Sequence, residues 1–159
     1  MIVLGVDPGI ALTGWSIIKK ENKPQLISYG CIKTTKNLSQ SKRFLQIYQE
    51  LEKIIKKYQP QTLCLEKLFF NINVKTALAV SEARGVIKIC AILNNLSITE
   101  FTPLQIKNCI TGYGRAEKKQ IQAMVKSLLK LKKIPKPDDA ADAVATALTY
   151  CFYNQKLER

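Results

Sequence analysis

Only four aspartates occur in this chain of 159 residues, and they are unevenly placed: Asp7 closes a short apolar run, while Asp138, Asp139 and Asp142 stand together near the other end. Glu66 closes a second apolar run, Thr62 to Leu65, much as Asp7 closes the run from Ile2. Two neighbouring strands that end in acids bring them together at one edge of a sheet, where open α/β sheets place their sites. Asp139 and Asp142 are three residues apart, so on a helix they share a face at about 5–6 Å. If that helix lies across the same edge, Asp7, Glu66, Asp139 and Asp142 converge. Two such charges about 4 Å apart repel by ~4 kcal/mol at an effective dielectric near 20. Divalent cations offset that repulsion, and an all-oxygen donor set suits Mg²⁺ or Mn²⁺ rather than zinc. Two ions about 3.5–4 Å apart can activate a water and stabilise the leaving oxygen in phosphodiester hydrolysis.

Each acid also has a plainer reading. Asp7-Pro8-Gly9 in isolation is a turn, and Glu66 alone is a strand-end surface residue. The three late aspartates follow Pro137, which reads as a helix N-cap with first-turn acids, worth about 0.3–2 kcal/mol; Asp138 is the expected cap. The combination raises the chemical reading above these, because the chain is otherwise basic. Lys and Arg number 25 against 12 Asp and Glu, a net charge of +13. A polyanionic partner, nucleic acid first, is the natural match for such a charge.

Absences narrow the chemistry. There is no histidine, which excludes Ser-His-Asp triads, Cys-His pairs and His-ligated zinc. The five cysteines are far apart with no C-x-x-C, so they read as reduced core thiols of a cytoplasmic protein. No apolar run approaches the roughly 18 residues of a membrane span, and no membrane partner is expected.

The elements that must position the acids follow from periodicity. Ile2–Asp7 reads as a buried strand, and Thr13–Ile18 with Leu26–Lys33 as a hairpin. Apolar residues at three-and-four spacing predict a helix over Leu38–Tyr58, stopped before Pro60. Thr62–Leu65 is a strand, Val74–Leu93 a long helix and Ser97–Phe101 a strand, with Pro103 opening a short helix. Two further helices are expected over Ala116–Leu131 and Asp139–Phe152. A meander followed by alternating helices and strands predicts one α/β domain over residues 1–155, a mixed five-stranded sheet flanked by helices, with a short tail at 156–159.

Taken together, Gly5-Val6-Asp7-Pro8-Gly9 with Thr13-Gly14-Trp15, Leu65-Glu66-Lys67-Leu68-Phe69, Ala83-Arg84-Gly85, Gly112-Tyr113-Gly114 and Asp139-Ala140-Ala141-Asp142-Ala143 resemble, in order and spacing, the RuvC family of Holliday-junction resolvases. The resemblance runs over essentially the whole chain. It implies a ribonuclease-H-like fold, a homodimer and two-metal cleavage of four-way DNA junctions by paired, symmetric nicks in homologous recombination and DNA repair. The nicks would leave ligatable 5′-phosphate and 3′-hydroxyl ends, and the RuvA–RuvB branch-migration complex is the implied partner. The family's metal-binding acids match Asp7, Glu66, Asp139 and Asp142, with two Mg²⁺ or Mn²⁺ ions implied. Lys107 and Lys118 match positions facing the scissile strand, and Phe69 one that stacks on a base at the junction centre. Lys67 departs from the glutamine common in the family.

Other residues fit the same picture. Lys118 opens a stretch to Lys136 with seven lysines and no acid, suited to phosphates or to a solvated helix face. Arg115, ending the Gly112–Gly114 loop, is a further candidate phosphate contact. Ala77, Ser81 and Gly85 recur every four residues, so that face of the helix either packs on its own sheet or admits a second copy; the resemblance places a dimer contact on this helix. A related nuclease, a non-catalytic junction binder and an actin-like ATPase are the alternatives, the last disfavoured by the short chain.

Overall fold

The computed structural model describes residues 1–67 and 74–153. Ten elements follow one another: β1 (Ile2–Asp7), β2 (Leu12–Lys19), β3 (Gln25–Lys33), α1 (Gln40–Tyr58), β4 (Thr62–Glu66), α2 (Val74–Leu93), β5 (Ser97–Phe101), α3 (Pro103–Thr111), α4 (Lys118–Leu128) and α5 (Asp138–Tyr153). The strands form one sheet in the order β3-β2-β1-β4-β5. β1, β2 and β3 pair antiparallel, whereas β4 runs parallel to both β1 and β5. The mixed sheet expected from the meander-then-alternation pattern is therefore present.

Side-chain alternation along the strands sorts two cores. Leu4, Val6, Leu63 and Leu65 point to one face, where they pack with Ile47 and Leu51 of α1 and Ile87 of α2. Val3 and Cys64 point to the other, with Ile106 of α3, Val125 of α4 and Val144 and Leu148 of α5. Each such apolar side chain, fully buried, contributes roughly 1.5–3 kcal/mol. Helix signals behave as expected at several ends. Ser39 caps α1 by accepting from the Lys42 amide, and Thr102 with Gln105 forms a capping box ahead of Pro103.

Two expectations need correction. Asp138 lies inside the first turn of α5, and its side chain turns to the Gln122 amide of α4 at 3.2 Å instead of capping the helix. The Pro137 carbonyl accepts from the Ala140 and Ala141 amides, so the α5 ladder starts one residue earlier than expected. α5 also lies across the face of the sheet, packed chiefly on β1 and β2, with only its first turn reaching the sheet's end. Small residues allow this. Ala140, Ala141, Ala143 and Ala147 are buried, and the Ser16 hydroxyl donates to the Ala143 carbonyl at 2.9 Å. Gly5 lies under the helix: a Cβ there would overlap the Ala143 carbonyl and stand 2.8 Å from Ala147 Cβ. A Cβ on Gly14 would likewise overlap the Asp139 main chain.

Gly5→Ala must push α5 off β1, because the opposing Ala143 carbonyl and Ala147 Cβ cannot rotate away. The expected loss is about 1–3 kcal/mol, as for other overpacked cores, equivalent to a fall in Tm of roughly 2–4 °C per kcal/mol at this size. Thermal melting followed by circular dichroism checks it, and an unchanged melt would contradict so close a helix–sheet contact.

Candidate active site

The register of β1 against β4 places the first two acids. Val6 pairs with Leu65 across the parallel ladder, so Asp7 and Glu66, one residue further on, leave adjacent strands side by side. Alternation turns both away from the α1–α2 core and toward the face that α5 covers. The turn after Asp7 is held locally: the buried Thr13 hydroxyl donates to the Gly9 carbonyl at 2.6 Å. The first two turns of α5 then bring Asp139 and Asp142 within electrostatic reach of Asp7.

The four carboxylates sense one another. Burial first, then the charges of Asp142, Asp139 and Glu66, pushes the Asp7 carboxyl from its ordinary 3.8 up to about 7, against the opposing pull of Lys118. Burial and Asp142 raise the Glu66 pKa, with Lys107, Arg84 and Lys118 opposing. Burial also raises Asp142, partly offset by its hydrogen bond from Lys118. Lys118, first residue of α4, reaches Asp142 at 2.8 Å and Asp138 at 3.6 Å. Burial alone would lower the Lys118 pKa, but the hydrogen bond and charge of Asp142 outweigh it and raise it. Asp138 also has Lys136 at 3.5 Å.

The donor set is all oxygen and strongly anionic, which is the chemistry of a Mg²⁺ or Mn²⁺ site. Among the described residues, however, no three acidic or thiol side chains stand close enough together to chelate one ion as placed. The acids are thus gathered at one end of the sheet and within electrostatic reach, with a lysine partly neutralising them.

The remaining candidates are distributed as follows. Lys107 of α3 lines a small cleft with Glu66, Asp142 and Thr146. Arg115 is exposed in the loop between α3 and α4, and Lys67 is exposed just after β4. Phe69 lies outside the described residues. On α2, Ala77 and Ser81 are half-buried and Gly85 is exposed, with no described residue within 4 Å of where a Cβ would stand. None of the five cysteines forms a disulfide and three of them are buried; among the described residues no helix is long and apolar enough to cross a membrane. Sequence reasoning overlooked Arg84, only 7% exposed, which donates to the Glu66 carbonyl and pairs with Glu100 of β5. A lone arginine in a run as apolar as Ala83–Leu93 was the available signal.

Comparison with known proteins agrees with this arrangement. Residues 3–150 match the family model for crossover junction endodeoxyribonuclease RuvC. The crossover junction endodeoxyribonuclease RuvC of Caldicellulosiruptor saccharolyticus is 57% identical over 152 residues, covering 94% of this chain and 92% of that protein. A Thermus thermophilus RuvC structure superposes with a TM-score of 0.91 at 29% identity, over 98% of this chain and 96% of that one. The same protein in complex with Holliday junction substrate gives 0.90 at 27% identity, with the same coverage. The sheet and its helices are of the ribonuclease-H-like type that the sequence led us to expect.

The raised Asp7 pKa has a consequence for the metal-free protein. In the unfolded chain this carboxyl ionises near its ordinary value, whereas in the fold it stays protonated up to about pH 7. The folded state therefore binds the extra proton, and stability falls as pH rises from about 4 to 7. In EDTA, Tm should fall across that window, and Asp7→Asn should flatten this part of the profile and raise Tm at pH 8. A wild-type and an Asp7→Asn profile of identical shape would show that Asp7 titrates normally.

Proposed function

The chain belongs to the RuvC family of crossover junction endodeoxyribonucleases, and from that membership we propose that it resolves four-way DNA junctions by paired, symmetric nicks, leaving ligatable 5′-phosphate and 3′-hydroxyl ends. The observation that carries this reading is the gathering of Asp7, Glu66, Asp139 and Asp142 at one end of the sheet in a chain of charge +13. In this reading the four acids hold two Mg²⁺ or Mn²⁺ ions. When bound, these ions supply an acidified water and offset charge on the leaving 3′ oxygen. The protein's own contributions are distinct. Asp7, Glu66, Asp139 and Asp142 would hold the ions as carboxylates, Asp7 releasing its proton to solvent. Lys118 exchanges its bond to Asp142 for one to the scissile phosphate, where its charge opposes developing negative charge; Asp138, at 3.6 Å, keeps it nearby meanwhile. Lys107 and Arg115 take backbone phosphates, and Phe69 stacks on an unpaired base at the junction centre.

A homodimer belongs to the same proposal. Leu78, Ile89, Ile92 and Leu93 of α2 are 57–64% exposed. With Gly85 they fall within an arc of about 100° on a helix of 3.6 residues per turn. An exposed apolar stripe of this kind marks an interaction surface, and the bare Gly85 lets a second backbone approach it. A two-fold dimer presents two active sites to a two-fold junction. A RuvA–RuvB branch-migration complex would deliver such a substrate.

The decisive measurement is cleavage of a labelled four-way junction beside a matched linear duplex, in Mg²⁺ or EDTA. Paired, ligatable nicks in the junction alone, lost in EDTA, are expected. Asp7→Asn should lose roughly 10²–10³-fold or more in rate, the scale of removing one charge-stabilising group. It should bind the junction as tightly or more so, since an anion facing phosphates is removed. Asp7→Asn cutting at the wild-type rate would sink the metal-site assignment, and binding without nicking would favour an architectural role. For the dimer, Ile89→Glu should sediment as a monomer in analytical ultracentrifugation and lose the pairing of its nicks. A dimer unaffected by Ile89→Glu would move the interface elsewhere.

A further inference from the structure

Arg84 is a costly residue to bury, and where it points is informative. It lies on the inner side of α2, 7% exposed. One guanidinium nitrogen donates to the main-chain carbonyl of Glu66, and the other pairs with the Glu100 carboxylate. Glu100 sits on β5 opposite Leu65, and Lys88, one turn along α2, holds the same carboxylate at 2.6 Å. On the other side of the Glu66–Lys67 peptide, the Lys67 amide donates to the Phe101 carbonyl at 2.7 Å. Both polar atoms of that peptide are therefore fixed, one by the sheet and one by Arg84.

We propose that Arg84 is a positioning residue for the metal site: its buried fork clamps the Glu66 main chain, and Glu100 keeps that fork away from the Glu66 carboxylate. The proposal rests on the reading of Glu66 as a metal ligand given above. The planar fork matters because it serves two acceptors on two strands at once, which an ammonium cannot do with the same geometry. Glu66 is the last residue of β4, where an unclamped strand end would let its carboxylate drift. Glu100 has the complementary task. The Arg84 charge already acts on the Glu66 carboxylate; with Glu100 neutralised it is less offset and would oppose a cation there.

The test is Mn²⁺ affinity of the full-length protein without DNA, by calorimetry, together with Tm and junction binding in EDTA. Arg84→Lys and Glu100→Gln should each weaken Mn²⁺ binding about tenfold, the lower end of the loss usual for partners behind metal ligands. Junction affinity in EDTA should stay unchanged, and saturating Mn²⁺ should restore the single-turnover cleavage rate. Should Arg84→Lys fail to fold, Glu100→Gln, a near-isostere at a partly exposed site, still decides. Wild-type Mn²⁺ affinity in both variants, with only Tm lowered, would overturn the proposal and leave Arg84 a structural pair. Glu66→Gln separates the two layers: if it too binds Mn²⁺ like wild type, the metal assignment of Glu66 has failed and the clamp with it. If it loses Mn²⁺ while the Arg84 and Glu100 variants do not, the clamp alone has failed.

Discussion

Like-charge repulsion at one end of the sheet is the constraint around which the rest of the molecule is arranged. Burial and three acidic neighbours hold Asp7 protonated to about pH 7, so the fold carries an unfavourable cluster that nothing in a stability argument would select. Such a cluster persists only where the surrounding structure over-determines it. Here the supports are the β1–β4 register, the Thr13-stapled turn after Asp7 and a helix whose backbone is pressed onto glycine. Lys118 relieves part of the repulsion: it pairs directly with Asp142 and Asp138, and its charge also pulls on Asp7 and Glu66.

The two faces of the sheet divide the work. The side of α3, α4 and α5 carries the candidate site: α5 supplies Asp139 and Asp142, α4 supplies Lys118 and α3 supplies Lys107. The side of α1 and α2 carries a conventional core and, on the outside of α2, an apolar stripe. Arg84 crosses between these regions, reaching from α2 to the end of β4. The helix proposed for dimer contact and the strand end that presents Glu66 are thereby joined through one guanidinium.

Electrostatics on a larger scale points the same way. A net charge of +13 attracts a polyanion over its whole surface, and the seven lysines from Lys118 to Lys136 concentrate that field beside the acids. The acidic patch within it repels phosphates until its charge is offset. In the proposed function, the basic body would gather the substrate, while the acidic site would make a productive approach dependent on cations.

Much of this was legible in the residues alone. Turn signals at Pro8-Gly9, the three-and-four spacing before Pro60, and Pro103 as a helix opener carry local information, so element order and most boundaries followed from them. The acids stood out by type, being the chain's only aspartates and one strand-end glutamate. Partnership was different. β1 and β4 are covered on both faces and read as continuous apolar runs, so no alternation said which face Asp7 and Glu66 would take. Asp138 looked like a cap because capping is local, but its partner Gln122 is 16 residues away and came within reach only when α4 packed beside α5. Arg84 was invisible as a site residue for the same reason, since its partners lie 16 and 18 residues away on two different strands. Composition and short-range spacing determined which groups were present and on which elements. Tertiary packing alone decided which of them meet, because those contacts are set by sheet register and by helix seating on glycine, and neither is written in any local stretch of chain.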